Sequence, residues 1–171
     1  KFPNFLSSLC RMYNVEQFFH ISALGIENAK DSLYACSKLE GEFLIRKKFK
    51  EANILKPSVI YSVDDNFTTN FMTILGLLPI FPLYYNGSTL FRPIYISDLT
   101  EIIYQMITKN IKSTTLECVG SEEISLKNIL KRLLKLIGKK RILMPIPLPV
   151  AQLSAFFFQF FSRPLITIDQ L

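Results

Sequence analysis

The chain has 171 residues, of which 49% are hydrophobic and 20% charged, a balance typical of a folded globular domain and unlike that of a disordered chain. Its longest apolar stretches, 71–85 and 142–161, are interrupted by prolines, so neither supplies the roughly 20 uninterrupted apolar residues of a spanning helix. The formal charge of +6 comes mainly from residues 46–50 and 127–141, and such runs usually form solvated helix faces. Aromatic residues lie mostly inside apolar runs rather than between these basic residues, which argues against nucleic acid as a partner.

Four helix and strand patterns occupy the first third of the chain. They are, in chain order, a helix over 2–13, a strand over 17–23, a helix over 33–50 and a strand over 53–61. Strand, helix and strand in succession imply a right-handed crossover between parallel strands. On the long helix, Glu42 precedes Arg46 by one turn, and this spacing predicts a surface ion pair. The first helix pattern starts at Lys1 without an N-cap, so we expect further sequence upstream.

An apolar insertion over 64–85, broken by prolines, precedes a second set of elements. These are, in chain order, a strand over 90–96, a helix from Asp98 to about Lys109, a strand over 114–119 and a helix that opens at Ser125 and ends before Gly138. We expect Asp98 to cap its helix, since Glu101 three residues later would complete a capping box. The phenylalanine-rich segment 145–163 predicts an amphipathic helix that contacts a membrane or a membrane-embedded partner. The alternative is that this helix closes a substrate pocket.

Tyr34 and Lys38 form the chemically most informative pair in the sequence. They stand four residues apart at the start of the long helix, so the phenol and the ammonium share a helix face. A neighbouring ammonium favours the phenolate form, which can exchange a proton with a substrate hydroxyl during hydride transfer. The same ammonium can also donate to a ribose. An isolated Tyr-x-x-x-Lys pattern is far more often a surface pair, so its meaning depends on the surrounding sequence.

The surrounding sequence resembles the short-chain dehydrogenases, and in particular their extended and atypical branches. The run YACSKLEGE follows a strand that ends in HISALG, and LKPSVIY follows the helix. With the later runs LLPIFPLYYNGSTLFRPIYISDL and PLITIDQL, these segments are similar to the NAD-dependent epimerases and dehydratases. They are most similar to the group that contains the alpha subcomplex subunit 9 of respiratory complex I. The resemblance covers nearly the whole chain.

The resemblance implies a doubly wound, Rossmann-like α/β fold with a parallel sheet. Residues 1–171 would form the carboxy-terminal portion of a single NAD(P)-binding domain, with 64–85 and 120–171 as a small substrate-side subdomain. The family's glycine-rich phosphate loop would lie upstream, because the six glycines of this chain are isolated and form no G-x-G-x-x-G run. Such loops hold the pyrophosphate of the cofactor at a helix N-terminus.

The resemblance also implies roles for individual residues. The predicted catalytic residues are Tyr34 for proton transfer, Lys38 for ribose contact and phenol activation, and Ser22 for a hydrogen bond to the substrate oxygen. The backbone of Pro57, Ser58 and Val59 would line the nicotinamide side of the cofactor. The role of Ser22 has an alternative. If the family's serine position corresponds to Ala23 in this chain, Ser22 does not have that role, because neighbouring residues on a strand face opposite ways.

Other polar residues have less specific expectations. His20 would share a strand face with Ser22, and a core or supporting role is a better prediction for it than catalysis. Arg92 is expected in a structural ion pair, and the alternative implied by the resemblance is contact with an anionic group of the substrate. Three cysteines, Cys10, Cys36 and Cys118, lack C-x-x-C spacing, which favours reduced thiols and argues against a metal site.

These features predict an NAD(P)-binding protein related to the nucleotide-binding accessory subunit of respiratory complex I. One alternative is a catalytically active oxidoreductase or epimerase/dehydratase that uses NAD or NADP. Another is a non-catalytic regulator that senses the cofactor. The expected partners are the dinucleotide and a respiratory complex or membrane surface. The expected location is the cytoplasm or the inner face of a bacterial or mitochondrial inner membrane.

Overall fold

A computed structural model describes residues 2–29 and 31–146 of the chain. The chain divides into two compact units, Lys1–Ile60 with Ile94–Gly120, and Tyr61–Pro93 with Ser121–Leu171. They are called unit 1 and unit 2 below. Most of the predicted membrane-contact segment, 147–163, lies outside the described residues, as does the final PLITIDQL run.

The described part of the chain alternates short strands with helices. In chain order the elements are α1 (Phe2–Met12), β1 (Phe19–Ile21), a 3₁₀ turn (Ile26–Asn28), α2 (Leu33–Lys48), β2 (Asn53–Pro57), β3 (Ile60–Tyr61), α3 (Asn66–Leu77), β4 (Ile80–Leu83), a second 3₁₀ turn (Tyr84–Gly87), β5 (Leu90–Phe91), β6 (Ile94–Tyr95), α4 (Ile96–Thr108), β7 (Thr115–Cys118), β8 (Ile124–Ser125), α5 (Leu126–Leu136) and β9 (Ile142–Pro145).

Unit 1 is built on a parallel sheet with strand order β1-β2-β7. Its register pairs His20 with Ile54 and Leu55 with Leu116. All five residues of the central strand β2 are buried, as expected for a parallel strand that is covered on both faces. The predicted parallel α/β arrangement of this part of the chain is therefore confirmed.

Two predicted strands are each divided in the structure. The predicted strand 53–61 consists of β2 and the separate β3, and the predicted strand 90–96 consists of β5 and β6. A proline, Pro57 or Pro93, stands at each break. Proline has no backbone N–H to donate to a sheet ladder, which is why it marks the ends of strands.

The helix starts are set by residues that follow strands or loops. Ser32 caps α2, since its hydroxyl accepts from the Ala35 amide at 3.2 Å. The predicted capping role of Asp98 is wrong, because α4 begins at Ile96 directly after β6 and its cap position falls on Tyr95. Asp98 instead lies in the first helical turn, where the helix dipole favours a negative charge.

Unit 2 has its own apolar core between α3, α5 and the parallel pair β4 and β9. Leu75, Leu83 and Leu130 are completely buried in it. Ser125 caps α5 as predicted, and Gly138 after that helix has φ of 65°, the left-handed conformation that suits glycine at a helix end.

Unit 1 also leaves apolar side chains exposed. On α1, the side chains of Phe2 and Phe5 are 70% and 62% exposed, and β1 lies at one edge of the three-stranded sheet.

Within residues 2–29 and 31–146, none of the helices has the length and apolar character needed to cross a bilayer.

Asn53 fixes the start of β2, and its replacement gives a test of the unit 1 fold. Its buried side chain donates to the Ile111 carbonyl at 2.6 Å and accepts from the Thr114 amide at 3.1 Å. Asn53→Ala leaves both backbone groups without that partner, so we expect a loss of about 3 kcal/mol in the free energy of unfolding. Urea denaturation measures this loss. Asn128→Ala, on the exposed face of α5, is the matched control, and equal midpoints for the two variants would contradict the prediction.

Candidate functional site

The carboxyl ends of β1 and β2 meet the amino-terminal part of α2 in unit 1. The Ser22 amide donates to the Leu55 carbonyl at 2.7 Å, and the Leu24 amide donates to the Pro57 carbonyl at 2.9 Å. The chain after β1 therefore lies beside the end of β2. In open parallel sheets, ligands bind at the carboxyl ends of the strands, so these residues mark the candidate site.

Lys38 lies between Tyr34 and the end of β1. Its ammonium nitrogen donates to the Ile21 carbonyl at 3.3 Å and lies 5.7 Å from the centroid of the Tyr34 ring. The Tyr34 residue is 53% exposed. The predicted sharing of one helix face by Tyr34 and Lys38 is confirmed. An ammonium has three donors, so one can hold the strand end while others remain for a ligand.

Ser22 lies just after β1, and its side chain points towards α2. Ser22 is only 4% exposed, and its hydroxyl donates to the Glu42 carboxylate. A hydroxyl that donates to Glu42 keeps its lone pairs as acceptors. The catalytic role predicted for Ser22 stays a prediction, and the observed partner limits that role to accepting a hydrogen bond.

The predicted surface ion pair between Glu42 and Arg46 is wrong. Besides the Ser22 hydroxyl, Glu42 contacts the Lys56 ammonium at 3.1 Å, and its side chain is only 13% exposed. Arg46 donates instead to the Thr115 hydroxyl at 3.0 Å and the Lys50 carbonyl at 3.1 Å. The reason is that the Lys56 ammonium, which is buried in β2, is a stronger partner for the Glu42 carboxylate than the solvated Arg46 guanidinium one turn along α2.

Lys56 is a buried lysine in the middle of the sheet that sequence reasoning did not assign. Its ammonium pairs with Glu27 of the first 3₁₀ turn as well as with Glu42. Burial alone lowers the pKa of Lys56, but the hydrogen bonds to the two carboxylates outweigh it and raise that pKa above its usual value. The hydrogen bond from Lys56 lowers the pKa of Glu27. A charged residue inside the apolar strand NILKP was the available signal, because such a residue requires partners.

His20 lies on the same face of β1 as Ser22, as predicted. Its Nε2 atom is buried and has no hydrogen-bond partner within the described part of the chain. It packs near Gly41 of α2, where an added Cβ would approach it to 3.9 Å. Burial and the charge of Lys38 lower the pKa of His20, against the opposing effect of Glu42. The imidazole is therefore neutral at neutral pH, which suits a packed supporting residue.

Other candidates lie apart from this site. Arg92 is exposed and makes no ion pair with any residue in the described part of the chain, so the predicted ion pair is not found there. A surface pocket of about 460 Å³, lined by Arg11, Lys48 and their neighbours, lies at the other end of α2 from Tyr34. Across residues 2–29 and 31–146, no three His, Cys, Asp or Glu side chains come together as a metal site.

Comparison with known proteins gives relatives that are named as mitochondrial NADH dehydrogenase or oxidoreductase subunits. No model of a known protein family matches the chain. It is 27% identical over 148 residues to NADH dehydrogenase [ubiquinone] 1 alpha subcomplex subunit 9 of Mus musculus, covering 85% of this chain and 39% of that protein. It is 23% identical over 131 residues to the NADH-ubiquinone oxidoreductase 40 kDa subunit of Neurospora crassa, covering 75% and 34%. The chain is a distant relative of the subunit 9 proteins. It spans about two fifths or less of the length of these relatives.

Solved structures show the fold that this subunit 9 relative adopts. A dTDP-glucose 4,6-dehydratase from Streptomyces venezuelae with NAD bound matches with a TM-score of 0.71 at 16% identity, covering 84% of this chain and 51% of that one. A dTDP-4-dehydrorhamnose reductase from Bacillus anthracis with NADP matches with a TM-score of 0.71 at 14% identity, covering 96% and 60%. The predicted resemblance to the extended short-chain dehydrogenases is confirmed, and the fold is Rossmann-like.

The ion pairs of Lys56 predict how the stability of this subunit 9 relative depends on pH. The pKa of Glu27 is lowered, so its contribution is present above the usual value of about 4.3 and is lost as the pH falls through the lower folded value. The pKa of Lys56 is raised, so its contribution is complete below about pH 10.4 and is lost as the pH rises through the higher folded value.

Lys56→Met should therefore destabilise the protein most in the neutral range. We expect the free energy of unfolding to fall by about 3 kcal/mol at pH 7, because the buried carboxylate of Glu42 loses its partner. The loss should be smaller below pH about 4, where the contribution of Glu27 is itself being lost. Urea unfolding of the variant and the natural protein across pH measures the difference. Lys56→Arg, which keeps the charge, should stay close to the natural protein. A difference that does not vary with pH would contradict the assignment.

Proposed function

We propose that the chain is the carboxy-terminal part of an NAD(P)-binding short-chain dehydrogenase-like protein related to the nucleotide-binding accessory subunit of respiratory complex I. The observation that carries this proposal is the position of Lys38, whose ammonium lies between the Tyr34 ring and the Ile21 carbonyl at the carboxyl end of β1. That end of a parallel sheet is where this fold class places its ligands. The NAD- and NADP-bound structures of similar fold support the choice of cofactor.

On this proposal, each site residue has a separate task. Lys38 would hold the nicotinamide ribose by a hydrogen bond, and Tyr34 would exchange a proton with the substrate. A dinucleotide held there would supply hydride chemistry. Ser22 accepts a hydrogen bond from a substrate hydroxyl. The backbone of Pro57, Ser58 and Val59 lines the nicotinamide side. Hydrogen bonds at 2.9 Å hold that backbone: the Leu24 amide donates to the Pro57 carbonyl, the Ser58 amide to the Cys118 carbonyl, and the Ile94 amide to the Val59 carbonyl.

The wider architecture on this proposal is a doubly wound domain whose adenine-binding, glycine-rich part lies outside residues 1–171. Residues 64–85 and 120–171 would then form the substrate-side subdomain. The relatives are named as mitochondrial complex I subunits, which supports a respiratory complex as the partner and the inner face of an inner membrane as the location. Contact of the 145–163 segment with that membrane remains part of the same proposal.

A catalytically active oxidoreductase or epimerase is the second candidate function. The half-exposed Tyr34 favours it, because a proton-transfer residue must be accessible to substrate. A role without catalysis, as a sensor of cofactor, would use the same nucleotide contacts and would not need the Tyr34 hydroxyl. Turnover therefore separates these functions, whereas nucleotide binding alone does not.

Replacement of Lys38 and Tyr34 in the complete gene product tests the site. Lys38→Met removes the ribose donor, so we expect the Kd for NADH or NADPH to rise about tenfold. Tyr34→Phe removes a proton and little contact area, so its Kd should stay within about twofold, while any turnover should fall by about a hundredfold or more. Fluorescence titration with the reduced dinucleotide measures the Kd.

Two variants on exposed surfaces serve as controls. Lys47→Met on α2 and Tyr104→Phe on α4 make the same chemical changes at exposed positions. Binding by Lys38→Met as tight as by Lys47→Met would show that the ribose contact is misassigned. Absence of dinucleotide binding by the natural complete protein would refute the proposed function itself.

A further inference from the structure

We propose that Glu42 is the positioning residue of the Tyr34 and Lys38 site, fixing the end of β1 against α2. This inference rests on the proposed function, since it concerns the geometry in which Lys38 meets the dinucleotide. Glu42 is not assigned a contact with cofactor or substrate. It acts through the strand end and the turn that it holds.

The two carboxylate oxygens of Glu42 bind two different elements. Oε1 accepts from the Ser22 hydroxyl just after β1, and Oε2 contacts the Lys56 ammonium of β2 at 3.1 Å. Lys56 also pairs with Glu27, which lies in the 3₁₀ turn between β1 and α2. One side chain of α2 therefore links β1 directly to β2 and, through Lys56, to the turn.

Helix α2 is attached to the end of β1 at two successive turns. Lys38 donates to the Ile21 carbonyl at 3.3 Å, and Glu42, four residues later, accepts from the Ser22 hydroxyl. The bond from Lys38 is long and joins a flexible side chain. Both bonds involve an ionised group, but the bond to Glu42 is partly buried whereas the bond from Lys38 is exposed, which makes the bond to Glu42 the stronger of the two. The position of Lys38 on the strand end thus depends on Glu42.

Among side chains of this shape, a carboxylate alone offers both partners of Glu42 a charged acceptor. Both partners, the Ser22 hydroxyl and the Lys56 ammonium, donate, so both terminal atoms of the side chain must accept. A glutamine has nearly the same shape but presents one acceptor and one donor group. If its amide NH₂ faces Lys56, the ion pair is lost. If the NH₂ faces Ser22, the hydroxyl can still accept from it, but both charge-assisted contacts are replaced by weaker ones to a neutral amide.

The test compares Glu42→Gln with Glu40→Gln in the complete gene product. Glu40 is exposed on the same helix, so the control makes the same change in charge two residues away. Two quantities are measured: the Kd for NADH or NADPH by fluorescence titration, and amide hydrogen exchange over residues 22–29 in the absence of cofactor. Exchange reports the strand end and turn directly, without depending on nucleotide binding.

We expect Glu42→Gln to raise both the Kd and the local exchange rate by about tenfold, and Glu40→Gln to leave both within about twofold. Glu42→Asp, which keeps two acceptor oxygens on a shorter side chain, should recover part of the affinity. A variant that binds dinucleotide and protects residues 22–29 as well as the Glu40→Gln control would overturn the positioning role. If the natural protein binds no dinucleotide but exchange rises only in Glu42→Gln, the proposed function fails while the positioning of the strand end stands.

Ser22→Ala covers the case in which Glu42→Gln does not fold. It removes one oxygen atom and leaves the pair of Glu42 with Lys56 in place, so the local exchange rate should rise by a smaller factor. Where Glu42→Gln does fold, adding Ser22→Ala to it should change exchange little, because both changes act on the same bond. Unchanged exchange over residues 22–29 in Ser22→Ala alone, or fully additive effects in the double variant, would contradict the proposed coupling.

Discussion

The structure of unit 1 depends on one buried charge, the Lys56 ammonium in the central strand of the sheet. Lys56 is 7% exposed in a strand whose other residues are also buried. A lone ammonium in such a place is costly, so the fold must bring carboxylates to it. Glu42 comes from α2 and Glu27 from the turn after β1, and the need for both restricts how helix and turn can lie on the sheet.

The same restriction places the residues of the candidate site. Lys38 and Tyr34 stand on α2 one and two turns before Glu42, so the helix orientation that satisfies Lys56 also directs them to the end of β1. A site on a rigid helix that is tied to a sheet keeps its geometry before any ligand arrives, which reduces the entropy lost on binding. The ion pairs of Lys56 thus link the stability of this unit to the geometry of the candidate site.

The sequence predicted the local elements and the Tyr34 and Lys38 pair, because both depend on spacing within one element. Apolar periodicity located α2 and β2, and the i to i+4 rule placed the two side chains on one face. Spacing within one element could not predict the partners of Glu42. The same rule pointed from Glu42 to Arg46 on its own helix, whereas the observed partners lie after β1 and in β2, 20 and 14 residues distant in sequence. The predicted capping role of Asp98 is wrong for a similar reason, since the end of β6 determines where α4 begins.

The chemistry of the proposed site separates nucleotide affinity from catalysis. Residues 1–171 contain no G-x-G-x-x-G run, so Tyr34, Lys38 and Ser22 would act on the ribose and nicotinamide side of a dinucleotide, where a few hydrogen bonds set orientation. Affinity for such cofactors comes largely from backbone amides around the pyrophosphate. A protein that kept the affinity and lost the proton transfer would remain a nucleotide-binding subunit. That role would need Lys38 to be held at the end of β1, whereas an enzyme would need the Tyr34 hydroxyl as well.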